Sequence, residues 1–300
     1  MLGQSPRIIG VGGVFIDDIV LASGQTRMGS LGGAAVHAMM GAAVWGERPG
    51  IVAPIGRGFP ADCRAFMDAH LDTRGLKELP IDQIRAWQLF EDDGRRRELY
   101  RVAETAPFIE GLGPADLPAL YDCRAAFYLL QGLEGVCRWR ARLGGFVLWE
   151  PLQQVMVAEM RDAFRTTLRE CPVDLVSPNL VEAREIYGML SAEGIVDAMM
   201  GDGARAVALR LGPEGSLVAD HASRAPLRIP AVPVARVVDP TGAGNTYCGG
   251  LLAGIAESAP LRRAAAMGAV AASFCIEGWG VVHPGSVGRA ERDRRLAALG

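Results

Sequence analysis

Asp239-Pro240-Thr241-Gly242-Ala243-Gly244-Asn245, continued by Thr246-Tyr247-Cys248-Gly249-Gly250, decides how the rest of the chain is read. A turn of small residues opens directly into an apolar helix. Several backbone N–H groups therefore point at one spot beside the positive end of a helix dipole, and such a spot holds an anion.

Upstream of this turn, short apolar runs alternate with helical periods. Residues 7–12, 50–55, 125–130, 145–149, 173–176 and 206–211 read as strands, and residues 33–45, 61–69, 136–142, 155–169, 179–187 and 191–200 as helices. The strands are continuously apolar, which indicates a parallel sheet covered on both faces. Beyond Leu211 the pattern shortens to antiparallel edge strands at 216–219, 227–229 and 232–234, followed by Ala-rich helices at 244–257 and 261–277. A second feature stands outside the rhythm. Segments 84–90 and 98–102 form a hairpin around Glu91-Asp92-Asp93-Gly94-Arg95, and 14–21 is a further apolar run after the first strand. Together they suggest a small β lid, with strands within 14–21 and 84–102; a surface hairpin with no part in closure is the plainer alternative. At 300 residues, half of them apolar and 38 of them glycine, the chain suits one domain spanning 1–300.

The bulk charge excludes other classes. A net charge of −3, with Arg95, Arg96 and Arg97 as the one dense basic run, argues against a nucleic-acid partner. Residues 1–12 lack the pattern of a signal peptide, and no uncharged apolar run reaches the roughly 18 residues of a membrane span. Six cysteines without a C-x-x-C pair read as thiols in a reducing compartment, and four scattered histidines give no zinc pattern. Cytoplasmic location and no membrane partner are the expectations.

Several further motifs carry chemistry. Gly10-Val11-Gly12-Gly13-Val14-Phe15 is not a dinucleotide fingerprint, since its third glycine would fall at Phe15 and no helix start follows. Asp17 and Asp18 lie just beyond the first strand, where ligands of open α/β sheets bind, so an acid there can face a substrate hydroxyl; a solvated turn is the alternative. Gly32-Gly33 enters a helix bearing His37, and paired glycines permit positive φ and close approach. Asn179 and Glu182 have the spacing of a capping box. Arg210-Leu211-Gly212-Pro213-Glu214-Gly215 ends a strand in a glycine-rich turn.

In this order, over Gly12 to Gly250, these elements resemble the signatures of the ribokinase-like (PfkB) family of carbohydrate and nucleoside kinases. The resemblance implies a three-layer α/β/α fold, with a mainly parallel central sheet and a small β lid. It also implies an ATP-dependent enzyme that transfers the γ-phosphate to a hydroxyl of a sugar, nucleoside or related polyol. By that resemblance the Gly242, Ala243 and Gly244 amides stabilise the transferred group, Asp17, Gly32, Gly33 and His37 face the substrate, and Asn179, Glu182, Arg210, Gly212 and Gly215 lie on the nucleotide side. Glu182 would serve Mg2+ through water, and segment 275–280 lies where the family closes around the adenine and a monovalent cation such as K+. Lid strands of the family pair between subunits, which makes the edges near Gln88 and Tyr100 candidates for a homodimer contact.

The chain departs from the family at three places. Asn245 occupies the position of the catalytic aspartate, His37 that of a substrate-binding asparagine, and Trp149-Glu150-Pro151-Leu152 replaces a more polar middle strand. An amide cannot take the proton of an attacking hydroxyl. General-base help is worth about 10²–10⁴-fold, or roughly 3–5 kcal/mol of barrier. Phosphoryl transfer nonetheless draws most of its catalysis from positioning and electrostatics, and Asp17, Asp18 or Glu150 could supply another base, whereas Asp239 orders its own turn. Two further readings stay open beside a working kinase. One is a pseudokinase that binds nucleotide or metabolite as a sensor or scaffold; the other is a kinase whose aspartate was replaced by engineering to trap a complex.

Overall fold

Apolar runs bounded by glycine and proline become strands here, and the stretches with helical period return the chain between them. The structure, a computed structural model, describes residues 4–92, 96–223 and 225–300. Residues 1–3, 93–95 and 224 lie outside the described residues, and with them the tip of the expected hairpin and Arg95 of the basic run. The chain opens with β1 (Ile8–Val11) and crosses at once to β2 (Phe15–Val20) and β3 (Thr26–Gly32). Helix α1 (Ala34–Ala43) leads to β4 (Gly50–Arg57), α2 (Ala61–His70) to the long β5 (Asp72–Asp82), and β6 (Arg85–Phe90) and β7 (Arg96–Tyr100) follow. After the single turn α3 (Ala106–Ile109) come β8 (Ala126–Gln131), α4 (Leu133–Arg140), β9 (Val147–Pro151), α5 (Arg161–Glu170) and β10 (Leu175–Val176). Helices α6 (Leu180–Tyr187) and α7 (Ala192–Gly201) precede the meander β11 (Ala206–Arg210), β12 (Ser216–Asp220) and β13 (Leu227–Ile229). The last helices are α8 (Ala243–Ala256), α9 (Leu261–Ile276) and α10 (Arg289–Ala297).

Nine strands form the central sheet in the order β13-β12-β11-β10-β9-β8-β1-β4-β5. Pairing is parallel from β11 to β5, and β12 and β13 add an antiparallel edge. Successive side chains of each strand enter opposite layers, as a two-residue period requires. Ile8, Tyr128 and Leu148 pack with α1, α8 and α9, whereas Ile9, Phe127, Leu129, Val147 and Trp149 pack with the side chains of α4 to α7. This is the three-layer α/β/α arrangement. In the second layer the Trp149 indole stacks on Phe164 at 5.4 Å and donates to the Gln131 carbonyl at 2.8 Å, so this buried indole also satisfies its polar atom.

Small residues set the helix spacing that matters for the site. A Cβ on Gly249 would stand 1.6 Å from the Ala38 carbonyl oxygen, and one on Gly41 would stand 2.3 Å from that of Thr246. Helices α1 and α8 therefore meet backbone to backbone, which brings the start of one against the start of the other.

The second sheet has four strands in the order β3-β2-β6-β7, with β2 and β6 parallel and the outer pairs antiparallel. Segments 14–21 and 84–102 hold three of these strands; β3 was not anticipated because Thr26-Arg27-Met28-Gly29 is polar and exposed. Gln88 is not an edge residue as expected, since β6 is paired on both sides and its side chain is buried; Tyr100 does lie on the outer strand β7. Asp18, fully buried, joins three strands of this sheet. It accepts from the Gly29 amide at 2.8 Å and pairs with Arg85 and Arg101. Burial works to raise its pKa, but these donors outweigh it and hold the carboxyl below the ordinary value.

Two other expectations are corrected. Residues 232–234 are irregular, because Pro230 and Pro233 remove ladder donors. The helix expected over 155–169 is two 3-10 turns, Gln153–Val155 and Ala158–Met160, followed by α5. Strand β5, largely polar and half exposed at the sheet edge, gave no apolar signal.

Candidate active site

The glycine turn is built as its composition requires. Gly242 caps α8 in the left-handed region at φ 70°, ψ 3°. A side chain is excluded there twice over, since a Cβ would also stand 2.1 Å from the His37 ring. Asp239, fully buried, takes the Thr241 amide on one oxygen and the Gly280 amide on the other, both at 2.9 Å. Asp239 thus orders the turn from behind. Among the described residues the Gly242, Gly244 and Asn245 amides have no backbone partner, while Ala243 donates to the Pro240 carbonyl at 3.3 Å. These orphan donors crown a 14-residue helix, the arrangement that binds phosphate oxygens.

They open onto a cleft of ≈ 820 Å³, part of it open solvent, at the carboxyl ends of the central strands. Asp17, Gly33, His37, Glu150, Glu182, Gly242 and Asn245 all line it. The second sheet supplies the opposite wall with Gln88, Arg96, Glu98 and Tyr100. Five of the positions that the sequence singled out for substrate or catalysis thus share one cleft: Asp17, Gly33, His37, Gly242 and Asn245.

Beneath Asn245 lies a buried polar network. Its Nδ2 donates to Glu150 Oε1 at 3.0 Å and to the Tyr128 hydroxyl at 3.3 Å. Tyr128 in turn donates to Glu150 Oε2 at 2.7 Å, and burial, with the Glu150 charge, raises the phenol well above its usual pKa. Arg210 Nη1 pairs with Glu150 Oε1 at 2.7 Å, and its Nη2 donates to the Ser177 carbonyl at 3.0 Å. Its guanidinium is committed to Glu150 and lies under Gly244, whose Cβ would stand 2.2 Å from Nη1.

On the acceptor side, Asp17 is almost wholly buried, and burial pushes its pKa up to about 7 against one opposing side-chain donor, Gln88 Nε2 at 3.1 Å. Gly32 makes room for it: a Cβ there would overlap the carboxylate, 1.8 Å from Oδ2. Gly33, at φ 93°, caps α1 where a Cβ would strike the Gly13 carbonyl at 2.4 Å. Gln88 Nε2 also donates to Glu98 Oε1 at 2.7 Å, and Tyr100 donates to Glu98 Oε2 at 2.9 Å. Gln88 Oε1 and His37 Nε2 are buried without a partner among the described residues. Burial, and then the Arg96 charge, lowers the His37 pKa to about 3, so the imidazole is neutral near pH 7.

The capping box is present: Asn179 Oδ1 accepts the Glu182 amide at 2.8 Å, and Glu182 Oε2 accepts the Asn179 amide at 3.2 Å. Glu182 also reaches the cleft, and burial raises its pKa against the pull of Arg210. Asn179, Arg210, Gly212 and Gly215 are not among the cleft-lining residues. Gly215 is required for packing, since its Cβ would stand 2.1 Å from the Ile229 carbonyl, whereas Gly212 faces open space. No three His, Cys, Asp or Glu side chains converge as a metal cage among the described residues. No helix among the described residues is long and apolar enough to cross a membrane.

Comparison with known proteins agrees with this geometry. Residues 144–285 match the pfkB family of carbohydrate kinases. A cytidine kinase of Thermococcus kodakarensis is 29% identical over 283 residues, covering 91% of this chain and 97% of that protein. The ribokinase of Arabidopsis thaliana, solved with ribose and ATP, superposes with a TM-score of 0.74 at 19% identity, covering 98% of this chain and 99% of that one. The nucleoside kinase of Methanocaldococcus jannaschii gives 0.74 at 18% identity, covering 99% and 100%. The fold is ribokinase-like and residues 144–285 match the PfkB family, a resemblance that sets Asn245 against that family's catalytic aspartate.

Proposed function

We propose that this chain is an ATP- and magnesium-dependent kinase that phosphorylates a hydroxyl of a nucleoside, sugar or related polyol. The observation that carries the proposal is the meeting of a helix-end amide cluster, in which Gly242, Gly244 and Asn245 lack a backbone partner among the described residues, with the buried Asp17 carboxylate in one cleft. The amides receive the negative charge of the transferring phosphoryl group, which is where preorganised donors contribute most. Magnesium, when bound, neutralises charge on the phosphates.

The opposite wall suits the acceptor. Asp17, Glu98 and the unpartnered Gln88 Oε1 form a surface of hydrogen-bond acceptors, complementary to hydroxyl and amine donors. The cytidine kinase relative favours a nucleoside as the first acceptor to try. Of the three carboxylates that could take the proton in place of an aspartate at 245, Asp18 is locked between Arg85 and Arg101, and Glu150 already receives three donors. Asp17 remains. It lines the cleft, and its pKa near 7 suits a general base at neutral pH.

The amide at 245 favours one second reading, a relative that binds nucleotide without turnover. ATP consumption over a panel of nucleosides, pentoses and hexoses separates the two. Phosphorylation of a panel member, lost about 10²-fold or more in Asp17→Asn, supports the kinase. Tight nucleotide binding with no turnover on any member supports the binder instead.

A further inference from the structure

Asn245 is one half of a matched pair. Its amide could be oriented two ways, but only one satisfies the surroundings. With Nδ2 inward it donates to Glu150 and Tyr128; turned over, its oxygen would face a carboxylate oxygen at 3.0 Å, acceptor against acceptor. Glu150 is 5% exposed and its charge is answered by Arg210, which is itself sheathed by the bare Cα of Gly244 and tied to the Ser177 carbonyl. The buried network holds one negative and one positive charge.

We infer that the carboxylate of this cleft floor has moved from helix α8 to strand β9, and that Glu150, with Arg210 as counterion, is a positioning residue that turns Asn245 Oδ1 toward the acceptor hydroxyl. The inference rests on the kinase reading for the word acceptor, but not for the pairing itself. An aspartate at 245 would set a second carboxylate oxygen about 3 Å from Glu150 Oε1 with one guanidinium between them. Two carboxylates at that distance do not both ionise. Asn245→Asp alone therefore does not improve this chain. The same fit speaks against an inserted replacement, since Glu150, Arg210 and Gly244 are already arranged for an amide.

The test is a cycle of four proteins: the natural chain, Asn245→Asp, Glu150→Gln and the double variant, followed by thermal midpoint from pH 5 to pH 9 and by kcat and KM on the panel acceptor. The groups facing the pair are Tyr128 from β8, Arg210 from β11, Glu182 from α6 and Cys248 from α8, and all four are left in place. Each single variant should melt about 5 °C or more below the natural chain at pH 8. The double variant should recover most of the loss, a coupling that independent sites do not show. The Asn245→Asp deficit should shrink as pH falls, because protonation of the pair removes the repulsion. In kinetics, Glu150→Gln should lower kcat about tenfold with a smaller change in KM, and the double variant should add an ionisation to the kcat–pH profile. Additive midpoints, or an Asn245→Asp enzyme as stable as the natural chain and tenfold faster, would overturn the pairing. If Asn245→Asp does not fold, the same cycle with Asn245→Ala measures the coupling. The melting arm needs no turnover. Coupled midpoints in a protein that phosphorylates nothing would therefore sink the kinase reading and leave the pair standing.

Discussion

Asp17 sits in a place where its charge is poorly served. Burial is the main cause of its raised pKa, and Glu98 and Asp239 push the same way, while Gln88 and Arg96 oppose. The consequence for stability has a definite sign. Below about pH 4 folded and unfolded chains both hold the proton, so the residue contributes nothing to the difference. Between there and about pH 7 the unfolded chain releases it and the folded chain keeps it, so stability falls as pH rises. Asp17→Asn removes that fall. Melting both proteins across pH 4 to pH 8 should show the variant pulling ahead over this window, by as much as about 4 kcal/mol at its upper end. Equal slopes would mean that the carboxyl is better solvated than its surroundings indicate. At this scale the sequence was informative about Asp17, Gly33, His37, Glu182, Gly242 and Asn245. It was silent about Tyr128 and Glu98, and it set Gln88 at an open edge where the structure buries it. A tyrosine within the apolar run Ala126–Gln131 looks like core until its hydroxyl is seen to find Glu150, and alternating polar residues in a hairpin look like a wet face.

Helix α8 begins where α1 begins, and the two starts are interlocked through the His37 ring and the bare Gly242. Gly242→Ala adds a Cβ that meets the imidazole at 2.1 Å and forces an L side chain into the left-handed region, so the amide cluster must move. Loss of about 10²–10³-fold in kcat/KM follows if those amides hold the transition state, with about 1–3 kcal/mol of destabilisation from the backbone strain. Pairing the substitution with His37→Ala should return part of the stability and little of the rate, because the backbone penalty stays. Recovery of full rate would assign the amides no catalytic part. Elements with continuous apolar runs, such as β1, β8, β9 and β11, were legible because both faces are buried. Strands β3 and β5 were not, because an edge strand is held by its ladder bonds and needs no apolar pattern. Helix α10, with no buried residue, escaped for the same reason.

Over the whole molecule, the four-stranded sheet is tied together by Asp18, which contacts Gly29, Arg85 and Arg101. Asp18→Asn removes the charge that Arg85 and Arg101 share, and both arginines are partly exposed, so the loss should be about 1–3 kcal/mol instead of the larger cost of a fully buried pair. Hydrogen exchange should speed up in β2, β3, β6 and β7 and stay unchanged in β8 to β11, with KM for the acceptor rising more than kcat falls. Uniform acceleration through both sheets would mean that they unfold as one unit.

Gln83 joins the two sheets where their chains cross. Its Oε1 takes the Gly56 amide at 2.7 Å, on the central strand β4, and its Nε2 reaches the Val14 carbonyl at 2.8 Å and the Ile84 carbonyl at 3.2 Å, at the roots of β2 and β6. Gly56 lets the backbones touch, since a Cβ there would stand 2.7 Å from the Gln83 Cα. A door hung on one such pin can swing but cannot slide. Translation of the small sheet over the large one would break the Gly56 bond and the bond from the Gln83 amide to the Arg57 carbonyl at 2.9 Å, whereas rotation about this point preserves them. Under such a rotation, distances from the cleft wall to the floor would change most at the ends of β6 and β7 away from Gln83 and least beside Asp17, so a ligand in the cleft would be gripped first at the end distant from Asp17.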